Sequence, residues 1–254
     1  MTAPADPFRF TTLAHAGRAI LGPLSPGALG ELLGGLSLPA PPAVLDVGCG
    51  KGELLLQALE LLGGTGVGVD PNPAFLAEAA ARARGRVPEG AVTWVQARLD
   101  EARLPEGAFS LLLCVGATHA FGGTAEALAG AHRWLGPGGR ALLGVGYARR
   151  PPDPAYLAFL GAGPGALPPL PDLVAQARNA GWRVEAVRES SLAEWDDYEE
   201  GYAAAVERWL AASPGDPEAP AFAARIAAWR DAHRRWGRET LGFALVLMGI
   251  PEDP

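Results

Sequence analysis

The sequence predicts an α/β fold in which a mostly parallel sheet carries helices on both faces. Three observations predict it. From residue 43 to 147, short apolar runs alternate with longer leucine- and alanine-rich stretches of helical period, the pattern of strands joined by crossover helices. The first run, Val44, Leu45, Asp46 and Val47, passes straight into a loop with glycine at 48, 50 and 52. Such glycines allow positive φ and let a ligand approach without meeting a Cβ. Finally, Asp70 closes the second apolar run, 22 residues after Gly48, where a βαβ nucleotide site places a ribose-binding carboxylate.

Residues 1–42 precede the first strand and read as an N-terminal helical segment. Helices are expected at 12–20 and 26–36, the second starting at Ser25 and Pro26. This segment is either a lid over a ligand or a brace with no ligand contact. Ala43–Val47 is a strand buried on both faces. Glu53–Leu62 is the first crossover helix, and its free N–H groups and dipole suit an anion. The second strand covers 66–69 and ends at Asp70, a helix covers 73–84, and Val92–Gln96 is strand three. Strand four begins at Phe109. Residues 124–135 form the next helix and 140–147 strand five.

Beyond strand five the order loosens. Residues 148–170 are rich in proline and glycine and read as a loop with one helical turn. A helix at 171–180 and a strand at 183–188 follow. Residues 194–237 read as two amphipathic helices broken at 213–217, and 240–248 is an apolar last strand. The domain boundaries are therefore 1–42 for the N-terminal segment and 43–254 for the main domain, with cap insertions at 148–170 and 194–237.

Composition narrows the function. The formal net charge is −7, which favours neither nucleic acid nor an anionic membrane as a partner. Arg82, Arg84 and Arg86 cluster, as a solvated helix face does. No apolar stretch approaches the ~18 residues of a spanning helix, residues 1–10 contain no hydrophobic signal core, and the cytoplasm is the expected location. Cys49 and Cys114 do not form a disulfide framework, and no Cys/His cluster has metal-ligand spacing. Lys51 is the only lysine among 21 basic residues. With 24 prolines and few amides, that bias fits either a thermophile or a GC-rich genome.

The stretch LDVGCGKGE at 45–53, followed by GVGVDPNP at 66–73, resembles the class I S-adenosylmethionine-dependent methyltransferases. FSLLLCVGATH at 109–119 resembles that family's fourth strand and the loop after it, and WLGPGGR at 134–140 resembles its turn before strand five. Within the family, CVGATHAFGG at 114–123 and EWDDYE at 194–199 resemble a little-characterised bacterial group of small-molecule type. The resemblance implies a Rossmann-like, seven-stranded, mostly parallel sheet with an antiparallel last strand. It also implies S-adenosylmethionine as cofactor and S-adenosylhomocysteine as product.

Carried onto this sequence, the resemblance gives Asp70 the ribose hydroxyls and sets Pro71 and Asn72 beside adenine. Asp46 stands behind the glycine loop, and Gly48, Cys49, Gly50 and Gly52 lie against the methionine moiety. Cys114, Val115 and Gly116, at the end of strand four, touch the same moiety. After strand three the chain departs from the family, with Arg98 where an acidic residue is common. Ala97, Arg98 and Leu99 must then read adenine through their backbone, unless Asp100 shifts in.

The acceptor side is less legible. Transfer from a sulfonium needs mainly alignment and desolvation, and a base only when the nucleophile must lose a proton. His119 is the candidate base, or a loop histidine that shapes the pocket. His15 reaches the substrate if the N-terminal segment folds over it, and Tyr147 ends strand five nearby. Trp195, Tyr198 and Tyr202 share a helix face, either as an aromatic roof over the substrate or as a face packed on the core. Two other classes remain open on sequence: an NAD-dependent oxidoreductase, and a binding protein that keeps the cofactor fold without transfer.

Overall fold

β-branched and leucine side chains alternate between two apolar layers, and this sets the architecture. The structure, a computed structural model, describes residues 6–251. Among these, seven strands pair in one sheet in the order β3-β2-β1-β4-β5-β7-β6. In chain order they are β1 Ala43–Val47, β2 Thr65–Asp70, β3 Val92–Gln96, β4 Phe109–Val115, β5 Leu135–Ala148, β6 Arg183–Glu189 and β7 Leu241–Gly249. β1 to β5 pair in parallel, and β7 runs antiparallel to both β5 and β6.

Because successive side chains point to opposite faces, each strand feeds both layers. On one face Val44, Leu111, Leu113, Leu142 and Leu245 pack against α2 (Ala28–Leu33) and α3 (Glu53–Leu62). On the other, Leu45, Leu112, Leu143 and Val246 pack against α5 (Thr124–Gly130) and α7 (Leu170–Asn179). α4 (Pro73–Ala83) crosses between β2 and β3, and Gly68 leaves room for Trp94 on β3, whose ring would lie 2.6 Å from a Cβ there.

The insertion between β6 and β7 forms α8 (Leu192–Ala212) and α9 (Ala219–Ala232), then a π-helical turn His233–Gly237. A capping box starts α8: the Ser191 hydroxyl accepts the Glu194 amide, and the Glu194 side chain accepts the Ser191 amide. Phe10 and Ala14 of α1 (Arg9–Ala14) share a core with Ala203, Val206, Phe222 and Ile226. The N-terminal helix is thus bound to the inserted pair rather than to the sheet. In the 148–170 excursion, α6 (Pro154–Phe159) buries Tyr156 against Trp236, ring centroids 5.8 Å apart.

Several boundaries differ from expectation. The first helix stops at Ala14 instead of reaching residue 20, because Gly17 turns the chain at φ 82°. The second begins at Ala28, and Ser25 serves elsewhere: its amide donates to Glu194 Oε1 at 2.6 Å. Helix 124–135 ends early in a 3-10 turn, Ala131–Trp134. The turn expected at 134–140 is absorbed into β5, since Leu135 already pairs with Phe109 before a register shift. The arginine cluster is only partly a solvated face: Arg86 bonds both Glu53 and Glu60, clamping the end of α4 to α3.

Candidate functional site

Strand order reverses between β1 and β4, and ligands of open α/β sheets bind at the carboxyl ends of strands beside such a switch point. The loops leaving these two strands touch. Gly48 has φ 68°, and a Cβ on it would lie 2.3 Å from the Ala117 Cβ. The Gly48 and Cys49 amides both donate to the Val69 carbonyl, at 2.8 and 3.0 Å. Gly50 has φ 53°, and a Cβ there would meet Leu21 of the N-terminal segment at 2.5 Å. The loop is therefore a cradle that presents bare backbone at Gly48 and Gly50 and is pinned to β2 on one side.

Asp70 pins it further. Its Oδ2 accepts the Gly50 amide at 2.9 Å and its Oδ1 the Asn72 amide at 2.8 Å. Each oxygen keeps a further lone pair for a ligand. Burial raises the Asp70 pKa, against the opposing pull of the Asn72 and Gly50 amides. Asn72 caps α4 by accepting the Ala74 and Phe75 amides, and its own amide donates to Thr12 Oγ1 at 2.9 Å. Pro71 lies half-buried between them. Asp46 is more deeply buried still, and burial, then the Asp70 charge, pushes it up to about 8. Two buried carboxylates around a bare glycine loop fit a nucleoside ligand that carries a positive charge.

A cavity of about 260 Å³ opens from this cradle. Asp46, Gly48, Cys49, Gly50, Val115 and Gly116 line one end. Trp195, Tyr198, Glu199 and Trp229 of the inserted helices line the other, with Phe243 and Leu241 of β7. Residues 19–23 of the N-terminal segment also line it. That segment is tied down by His15: its Nδ1 donates to the Thr11 carbonyl at 2.8 Å, leaving Nε2 to accept the Tyr198 hydroxyl at 3.1 Å. His15 itself is buried behind Tyr198 and is not among the lining residues. Trp195 packs in the core and also lines the cavity.

Other expected site residues lie elsewhere. Tyr147 points to the opposite face of the sheet, where strand alternation carries it with Leu143 and Val145, and its hydroxyl donates to Glu189. It is not a substrate-pocket residue. Cys114 follows the same parity, so its side chain packs in that core while Val115 and Gly116 reach the cavity. His119 sits exposed on a 3-10 turn, Thr118–Phe121, outside the cavity lining. The candidate base is therefore not brought into the cavity. Arg98 faces solvent beside Asp100 at 3.6 Å, Leu99 is buried in the core, and Ala97 is half-buried between β3 and them. Gly52 lies beneath the loop, where a Cβ would strike Trp94 at 2.4 Å.

Glu199, Trp229 and residues 19–23 were not legible as site residues. Glu199 carried one signal, its place four residues after Trp195 and hence on the same helix face. The neighbouring acidic residues Asp196, Asp197 and Glu200 hid it, because a run of carboxylates reads as a solvated helix start.

Comparison with known proteins agrees with this geometry. Residues 44–139 match the family model of a methyltransferase domain. An S-adenosylmethionine-dependent methyltransferase from Geobacter sulfurreducens, solved with S-adenosyl-L-homocysteine, superposes with a TM-score of 0.87 at 28% identity, covering 94% of this chain and 97% of that one. Its counterpart from Thiobacillus denitrificans, solved with the same ligand, gives 0.87 at 27% identity, over 99% and 100% of the two chains. The uncharacterised protein YjhP of Escherichia coli strain K12 is 29% identical over 244 residues, which is 94% of this chain and 98% of YjhP.

Proposed function

From the premise that the chain is an S-adenosylmethionine-dependent methyltransferase, we propose that it methylates a small molecule in one in-line step, leaving S-adenosylhomocysteine. One observation carries this reading: a single cavity of about 260 Å³ joins the glycine cradle to an aromatic chamber under the inserted helices. Walls of Trp195, Tyr198, Trp229 and Phe243 at the acceptor end suit a small acceptor with apolar surface. The N-terminal segment, the 148–170 excursion and the 194–237 helices act together as the cap that excludes water.

When bound, S-adenosylmethionine supplies an activated methyl group on a sulfonium. The chain's own residues hold and orient it. Asp70 accepts from the ribose hydroxyls through the lone pairs its backbone donors leave free. Asp46 faces the positive charge of the methionine part, and Gly48, Cys49, Gly50, Val115 and Gly116 frame that part with backbone. Pro71 and Asn72 flank adenine, and the backbone of Ala97 to Leu99 reads its edge in place of the usual acidic side chain. The two free, buried cysteines suit action in the reducing cytoplasm; among the described residues no helix is long and apolar enough to cross a membrane.

Calorimetry against S-adenosylmethionine, S-adenosylhomocysteine and NAD tests the donor, and S-adenosylhomocysteine release on pooled metabolites against RNA and protein fractions tests the acceptor. Binding of the first two ligands with turnover confined to metabolites is expected. Turnover on a macromolecular fraction alone would overturn the small-molecule reading.

A further inference from the structure

Inside the acceptor end of the cavity stands a buried carboxylate whose valence is half used. Glu199 is 7% exposed. Its Oε2 accepts the Trp229 indole N–H at 2.6 Å, while its Oε1 is buried with no hydrogen-bond partner among the described residues. His233 Nδ1 lies 4.0 Å from that oxygen and is also unpartnered, as is Trp195 Nε1 one turn back on α8. Buried polar atoms in native proteins are normally satisfied, and leaving a carboxylate oxygen bare is costly. Two of these residues, Glu199 and Trp195, line the cavity, and their unmet polar atoms mark a place built for a polar ligand.

The charge around it selects the ligand. Among the described residues, the charged side chains lining the cavity are all acidic, Asp46, Glu53 and Glu199, with no Lys, Arg or His. Glu53 is paired with Arg86, whereas Glu199 has no Lys or Arg partner among the described residues to offer an anionic acceptor a counter-charge. The walls beside Glu199 are Trp195, Tyr198 and Trp229, whose faces attract cations.

We propose that the methyl acceptor is a small amine, bound through its N–H to Glu199 Oε1 within the aromatic walls. This rests on the methyltransferase reading and narrows it to N-methylation. The amine enters as an ammonium, and Glu199 takes one proton to leave a neutral nitrogen. The nitrogen lone pair forms the new bond to the methyl carbon as the carbon–sulfur bond breaks, its electron pair going to sulfur. The product leaves as the methylated ammonium. Burial raises the Glu199 carboxyl to about 7, which suits a group that must accept a proton and release it again. The titratable groups about it are Tyr156 of α6, Tyr198 and Tyr202 of α8, and His233; burial raises all three tyrosines and lowers His233.

The test uses benzylamine, benzyl alcohol and benzoate as matched probes, read by quenching of tryptophan emission and, with S-adenosylmethionine present, by S-adenosylhomocysteine release. Benzylamine is expected to bind at least ~10-fold more tightly than benzoate, a difference of about 1.4 kcal/mol. Glu199→Gln should erase that preference, leave benzyl alcohol binding within about 2-fold and leave S-adenosylmethionine affinity intact. Glu199→Asp, which keeps the charge, should retain the preference in part and serves if the glutamine variant fails to fold. Benzoate binding as tightly as benzylamine, or a preference unchanged in Glu199→Gln, would overturn the proposal. S-adenosylmethionine titration of the same samples separates the two ideas: bound donor without amine preference sinks only the amine, whereas no bound donor sinks the methyltransferase reading itself.

Discussion

Lys51 Nζ donates to the backbone carbonyl of His15 at 2.9 Å, so the chain's sole lysine ties the glycine loop to the N-terminal segment. The side chain is fully buried and also pairs with Glu78 Oε2 at 2.9 Å. A residue of the cradle thereby holds the segment that lines the cavity. Lys51→Met keeps the volume and removes the donor. It is expected to cost about 1–3 kcal/mol and to speed amide exchange across residues 9–23. Unchanged exchange there would show that α1 is held by the inserted helices alone.

Asp70 joins the same cradle to β2 through the Gly50 and Asn72 amides. Asp70→Ala strands both donors and removes the proposed ribose acceptor. Binding of S-adenosylmethionine should weaken by at least ~100-fold, since two hydrogen bonds to a charged group are each worth about 1.5–3 kcal/mol. Asp70→Asn, which retains one acceptor oxygen, should fall between. Calorimetry on both variants decides, and equal affinities for the two would argue against the carboxylate.

Asp46 gives a pH signature. Its pKa is raised to about 8, by burial and then by Asp70. The native state therefore holds a proton that the unfolded chain has lost, so the stability of the unliganded protein falls as pH rises from about 4 to 8. Asp46→Asn should flatten that slope and raise the melting temperature at pH 8. A cationic ligand favours the ionised form, so binding at pH 7 should release up to about one proton. Titrations in buffers of different ionisation enthalpy measure it, and the asparagine variant should release none.

Glu194 runs the other way. Burial raises its pKa, but Arg188, Ser191 and Ser25 outweigh that and hold it at about 2. Its contribution is present above the ordinary carboxylate range and is lost as pH falls through about 2. Glu194→Gln should shift acid unfolding to higher pH and, by weakening the α8 cap and its tie to Ser25, lower the melting temperature by about 4–8 °C for a loss of about 2 kcal/mol. An unchanged acid transition would show that the network is not formed in solution.

Gly48→Ala probes the contact between the two loops. At φ 68° with Ala117 at 2.3 Å, a Cβ must push β4's loop away. A loss of about 1–3 kcal/mol is expected, together with weaker donor binding. Wild-type affinity in a stably folded alanine variant would refute the cradle.

The sheet core was legible because local signals agree with one another there. Ala43–Val47, Glu53–Leu62 and Val92–Gln96 are found at the bounds read from their apolar runs, and Asp70 ends β2 as its spacing requires. Where two local rules compete, the tertiary structure decides between them. Residues 12–20 carry a helical pattern, yet Gly17 ends α1. Tyr147 sits at the right end of β5, but one step of strand parity puts it on the far face. His119 follows β4 as a base might, but a 3-10 turn sends it to solvent.

The proposed donor half of this protein is written in contiguous residues, because a glycine loop and a strand-end carboxylate act through backbone geometry that the chain sets locally. The proposed acceptor half is not. Glu199, Trp229, Leu21 and Phe243 come from four separate segments, and nothing in their spacing joins them. They meet because α1 packs on α8 and α9 while β7 returns between β5 and β6. Burial then turns one carboxylate of an acidic run into a buried group with an oxygen left to share. Burial and its effect on charge exist only after folding, which is why the chemistry of the acceptor site had to await the packed chain.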